Sequence, residues 1–125
     1  MPIVEIRALP QPASVDVAAV LGRICRDLAA ALGCPARHVW ATWETLAPGT
    51  FVEANVTAGE QPRDSHAPMV RILAMEGRPP ETIRRMLEAV CASLASALEI
   101  DPDNVFARYE ELRKGHVAWG GRVRS

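Results

Sequence analysis

An internal repeat constrains this chain more than any other feature. Slid on itself by 66 positions, the sequence aligns without a gap over 58 positions (2–59 on 68–125), with 15 identities. Pro2 falls on Pro68, Val4 on Val70, Ile6 on Ile72 and Ala8 on Ala74. Further along, Leu21, Cys25, Leu28 and Leu32 fall on Leu87, Cys91, Leu94 and Leu98, and Glu44 and Gly49 on Glu110 and Gly115. Trp40/Phe106 and Trp43/Tyr109 are near matches in the same phase. A unit of about 60 residues is marginal alone, so the two copies are expected to share one core. The expected organisation is therefore a single domain, 1–125, made of two repeats, 2–59 and 68–125, with a polar linker at 60–67.

Each repeat reads strand, helix, strand. Residues 2–9 alternate around Ile3, Val4, Ile6 and Ala8, the period of a strand. From Val17 the apolar positions 17, 20, 21, 24, 28, 31 and 32 form one helical stripe, repeated from Ile83 to Leu98. Pro79 and Pro80 suit a first helical turn, which needs no N–H donors; Gly33 and Asp101-Pro102 are stop signals. Val39–Leu46 and Val105–Leu112 read as second strands, each followed by a glycine turn and a segment able to form a small hairpin. Such a unit closes with a right-handed crossover and parallel strands. Two units predict an α/β (α+β) fold: tandem β-α-β units forming a four-stranded mixed sheet, with two helices on one face. The strands are apolar on both sides, with Trp40 and Phe106 opposite Trp43 and Tyr109. The face without helices is therefore expected to be covered by other subunits.

Composition narrows the function classes. Fourteen basic and fifteen acidic residues give a net charge of −1, which leaves no cationic excess for a nucleic-acid partner. Apolar runs are too short for a membrane span. The start, Met1-Pro2-Ile3-Val4-Glu5-Ile6-Arg7, lacks the basic region of a signal peptide, so the expected compartment is cytoplasmic. Cys25, Cys34 and Cys91 have no CxxC spacing, and His38, His66 and His116 lie far apart, so no metal site is expected. Cys25 and Cys91 read as small buried side chains.

Pro2 follows the initiator methionine. Removal of Met1 would leave a secondary amine, and an α-amino group has an unperturbed pKa of about 7.7–8.0. Burial near a guanidinium would lower it and give a neutral base at pH 7. The alternative is that Pro2 simply opens a strand. With Met1 retained, its nitrogen is an amide and Pro2 cannot be the base.

The doubled arrangement resembles the tautomerase superfamily, in particular fused, two-unit 4-oxalocrotonate tautomerases. The resemblance rests on Pro2, on Pro68-Met69-Val70-Arg71-Ile72-Leu73-Ala74-Met75-Glu76-Gly77-Arg78, on Lys114-Gly115-His116 with Gly120-Gly121, and on the turn Pro48-Gly49-Thr50-Phe51. It implies the tautomerase fold, a homotrimer, no cofactor, and enol–keto tautomerisation of small unsaturated 2-oxo acids with Pro2 as general base. Arg78 would hold the substrate carboxylate; its mate in the first repeat is Pro12. Pro68, an amide in mid-chain, cannot be a base, so one site per chain is expected. A second arginine of the family, at the start of the second strand, is replaced by Trp40 and Phe106. Arg108, two residues on, is its candidate substitute, and pairing with Glu110 or Glu44 is the competing role. Phe51 and Trp119 are candidate apolar walls or trimer packing. The dehalogenases' further arginine is replaced by Met75, and their water-activating glutamate has no clear counterpart, which favours tautomerisation over hydration or dehalogenation. The alternatives are a non-catalytic member of the same fold that keeps Met1, a related decarboxylase or hydratase-dehalogenase, and a ferredoxin-like βαββαβ sensing domain with the same element order.

Overall fold

A computed structural model describes all 125 residues. Strand β1 (Pro2–Ala8) leads into helix α1 (Val17–Leu32) and returns in β2 (Trp40–Thr45), followed by a hairpin of β3 (Val52–Glu53) and β4 (Val56–Thr57). The second repeat follows the same course: β5 (Met69–Met75), α2 (Pro80–Leu98), β6 (Phe106–Leu112), then β7 (Ala118–Trp119) paired with β8 (Arg122–Val123). The sheet order is β2-β1-β5-β6, parallel within each repeat and antiparallel where β1 meets β5. Both expected hairpins are present.

Local chemistry sets the helix ends. Asp16 caps α1 by accepting from the Ala19 N–H at 3.2 Å. Gly33 ends it in the left-handed region, φ 70°. Helix α2 starts on Pro79-Pro80 and stops at Glu99, at φ 55°. That is two residues before the Asp101-Pro102 signal, because Glu99 takes the left-handed position its mate Gly33 occupies.

The core lies between the sheet and the two helices. Val4, Ile6 and Ala8 of β1 and Val70, Ile72 and Ala74 of β5 face Ile24, Leu28, Val90 and Leu94. All are at most 2% exposed. Each buried Val, Ile or Leu among them contributes on the order of 1.5–3 kcal/mol. Cys25 and Cys91 are half-buried rather than fully buried, and burial raises both thiol pKa values.

The other face of the sheet is open. It carries Trp40 and Phe106, 46% and 55% exposed, beside a row of charges. Arg71 bonds Glu5 and reaches Glu110 at 3.5 Å, and Arg108 reaches the same Glu110 oxygen at 3.4 Å. Register explains the centre of this row. Val4 lies opposite Ile72, Ile6 opposite Val70, and Glu5 opposite Arg71. Glu5 and Arg71 are repeat mates, so the pseudo-twofold axis passes between them. In two identical units this position would face itself, and a charge would repel its copy. Divergence to opposite signs turns that repulsion into a cross-strand ion pair.

Candidate functional site

Four segments meet at the end of the sheet where Pro2 lies: the start of β1, residues 33–39 after α1, residues 76–79 after β5, and residues 113–125 after β6. Pro2 is fully buried and sits opposite Ala74. The Glu-Gly-Arg turn is built by three separate devices. The Glu76 N–H donates to the Leu112 carbonyl at 2.9 Å, and its carboxylate accepts from the Lys114 N–H at 2.7 Å. This fastens the turn to the end of β6. Gly77 then takes φ 111°, which a side chain would strain. The chain reverses, and half-buried Arg78 folds back to donate to the Met75 carbonyl at 3.4 Å.

Arg78 and the amino terminus feel each other. Burial holds the Met1 α-amine below its ordinary pKa; Cys34 opposes the shift and Arg78 reinforces it. An amine deprived of its proton by burial and a neighbouring cation is a base. A guanidinium with a planar fork of donors is a carboxylate anchor. Cys34 was not among the candidate residues. Its only sequence signal is that its mate, Ile100, is a core residue, which puts position 34 against the core beside the strand ends.

The opposite end, at Pro68, is filled. Residues 61–66 lie across it: the Gln61 N–H donates to the Pro10 carbonyl at 2.8 Å, and the Asn104 amide donates to the Ser65 carbonyl at 2.9 Å. His66 is 2% exposed. Its Nε2 lies 2.8 Å from the Val56 carbonyl and its Nδ1 2.9 Å from the Ser65 hydroxyl. The carbonyl can only accept, so Nε2 carries the proton and Nδ1 accepts from the hydroxyl. Gln61 donates to the His66 carbonyl at 2.9 Å.

The remaining candidate residues are spread apart within one chain. Phe51 packs edge-on to His66, ring centroids 5.1 Å apart, at the Pro68 end. Trp119 lies at the Pro2 end, with the Arg124 guanidinium 4.2 Å above its ring. Arg108 is on the open face, four residues before the end of β6 that reaches the Pro2 side. It lines a groove of about 610 Å³ with Arg7, Glu44, Arg71 and Phe106. This groove is not beside Pro2. No group of His, Cys, Asp and Glu side chains has the arrangement of a metal site, and no helix is long and apolar enough to cross a membrane.

No family model matches the chain. A probable tautomerase of Halalkalibacterium halodurans is 31% identical over 55 residues, which cover 44% of this chain and 90% of the relative. The relative is thus about one repeat long. Among solved structures, a protein crystallised after inactivation by 2-oxo-3-pentynoate superposes with a TM-score of 0.83 at 18% identity, over 98% of this chain and 94% of that one. An asymmetric trimer of a fused 4-OT gives 0.83 at 16% identity, over 97% and 94%. A malonate semialdehyde decarboxylase gives 0.74 at 19% identity, over 96% and 92%. Repeat, register and relatives agree: this chain belongs to the tautomerase family, with the fold of a fused, two-unit 4-oxalocrotonate tautomerase.

Proposed function

We propose that the protein is a cofactor-independent tautomerase of small unsaturated 2-oxo acids and their enols, with one site per chain at the Pro2 end. Removal of Met1 frees the Pro2 nitrogen. The neutral amine takes a proton from the enol hydroxyl, or from the carbon beside the 2-oxo group, and returns one elsewhere on the conjugated system. The rigid ring fixes the direction of the lone pair. Arg78 holds the carboxylate as a bidentate partner. The observation that carries this reading is the placement of buried Pro2, at the start of β1, at the same end of the sheet as the Glu-Gly-Arg turn whose Arg78 acts on the amino terminus. One repeat supplies the base and the other the anchor.

The open sheet face supports a homotrimer, the state of the fused 4-OT relative. Its exposed Trp40 and Phe106 are then covered by neighbouring copies. Arg108 and Phe51 are remote from Pro2 in their own chain, so any part they take is at a neighbour's site. Trp119 is the apolar wall at the chain's own site.

The test has two parts. Intact mass of untagged protein shows whether Met1 is removed; its retention in active protein would sink the Pro2 assignment. Ketonisation of 2-hydroxymuconate and phenylenolpyruvate is then followed with and without prior treatment with 2-oxo-3-pentynoate. Loss of turnover with one label on Pro2 is the expected result, and label-free loss or unchanged turnover counts against it.

A further inference from the structure

The balanced composition conceals a separation of charge along the sheet axis. The connecting segments at the Pro2 end together carry a cationic excess: Arg37 after α1, Arg78 after β5, and Arg113, Lys114, Arg122 and Arg124 after β6. Glu76 is the carboxylate within these segments, bonded to the Lys114 N–H; Glu81 in the first turn of α2 and Glu111 near the end of β6 adjoin them, so the six cations exceed the carboxylates at this end by three. Segments at the Pro68 end are acidic. Asp16 precedes α1; Glu53, Glu60 and Asp64 lie between β2 and β5; Glu99, Asp101 and Asp103 follow α2, with Arg63 the one cation. Topology causes this sorting. Parallel β-α-β units return the chain to the same two ends, so each loop belongs wholly to one end. All of these residues except half-buried Arg78, Asp101 and Arg124 are exposed.

We propose that this arrangement is an electrostatic funnel. It gathers small anions at the Pro2 end, with a pull that grows with the number of their negative charges. The inference rests on the Pro2–Arg78 reading only for where the anion finishes. Arg37, Arg113 and Arg122 act at a distance, raising the local anion concentration and the encounter rate, while the acidic end turns anions away. Fields of this kind change association by about 10–10³-fold and are screened over about 8–10 Å at physiological salt. The pull is therefore strongest at low ionic strength.

The experiment compares a dicarboxylate enol, 2-hydroxymuconate, with a monocarboxylate enol, phenylenolpyruvate. On raising ionic strength from about 0.01 to 0.3 M, kcat/KM should fall about tenfold for the first and about threefold for the second. The triple variant Arg37→Gln, Arg113→Gln, Arg122→Gln should lose most of the first slope and keep kcat at saturation. Equal slopes for the two substrates, or a parent-like slope in the variant, would overturn the funnel. A readout without turnover separates this from failure of the Pro2 reading. An anionic nitroxide should broaden backbone amides of 33–39 and 113–125 several-fold more than those of 58–66 and 99–105, relative to a neutral nitroxide. Even broadening at both ends overturns the proposal whether or not the protein turns over either enol. So does reversible head-to-tail association at low salt, because the two ends would then recognise each other.

Discussion

Pro2 and Pro68 hold the same place in the two repeats, but the turns facing them have diverged. Pro2 faces the turn that carries Arg78. Pro68 faces the turn that carries Pro12, and Gln61 and His66 occupy the space in front of it. Cations outnumber carboxylates at the first end, and carboxylates outnumber cations at the second. Duplication supplied two equivalent positions, and divergence can remove a site at one of them without loss of fold, because the core residues Val4, Ile6, Val70 and Ile72 are untouched. The comparison also explains the axial pair. Glu5 and Arg71 could differ in sign only once the two units became separate parts of one chain.

The sharpest way to break the comparison is to treat the two prolines alike. Pro2→Ala should lower kcat for enol ketonisation by about 10²–10⁴-fold, the range for loss of a positioned general base. Pro68→Ala should leave kcat within about twofold, since its nitrogen is an amide in either case and general-base catalysis does not involve it. Equal effects of the two substitutions would refute the asymmetry.

The arginine comes next. Arg78→Gln removes a charge-assisted, bidentate contact of about 1.5–3 kcal/mol, so kcat/KM should fall by about 10–150-fold. The pH profile carries a second signature. Activity needs the neutral amine, so kcat/KM rises with pH through the amine pKa and then levels. Burial and Arg78 both lower the terminal amine, against Cys34. With the Pro2 nitrogen freed at the same end of the sheet, burial and the Arg78 guanidinium are expected to act on it in the same direction. Removing the guanidinium should therefore move the acid limb to higher pH. The reciprocal change, Pro12→Arg, should create no second site, which titration of sites per chain with 2-oxo-3-pentynoate would show.

His66 sharpens the comparison from the filled end. His66→Ala leaves the Val56 carbonyl and the Ser65 hydroxyl without their partner in a buried space. Stability should drop by about 2–3 kcal/mol. Thermal unfolding measures this, and turnover per folded molecule should stay within about twofold. A large loss of turnover would mean the Pro68 end takes part in the chemistry.

Most of the fold was legible because the repeat carried its phase twice. Strand alternation, helical stripes and Gly33 located elements to within a residue or two, and the parallel crossover followed from chirality. The site was legible only in outline. Pro2 and Arg78 stand out because each has a mate that differs. Nothing in the sequence brings Cys34 to the amino terminus, since that contact depends on how the end of α1 packs beside β1. The charge separation was hidden for a different reason. A net charge of −1 is a sum over the chain, and it cannot show that the topology sorts the signs to opposite ends.

The smallest expected effect tests the one place where the two helices end differently. Gly33 and Glu99 are repeat mates, and both adopt the left-handed conformation, at φ 70° and φ 55°. Glycine does so freely, whereas a side chain there costs about 1–2 kcal/mol. Glu99 also places a negative charge at the negative end of a helix, worth a few tenths of a kcal/mol against it, and it sits near Asp101 and Asp103 in the acidic loop. Against this, glycine raises the entropy of the unfolded chain by about 0.5–1 kcal/mol. The balance favours Glu99→Gly by about 0.5–1 kcal/mol, a rise of a few degrees in Tm. Gly33→Glu should cost about as much at the other end. If instead Glu99→Gly lowers Tm, the acidic end depends on that carboxylate for a contact that strain alone does not reveal, and its negative field has a structural as well as an electrostatic role.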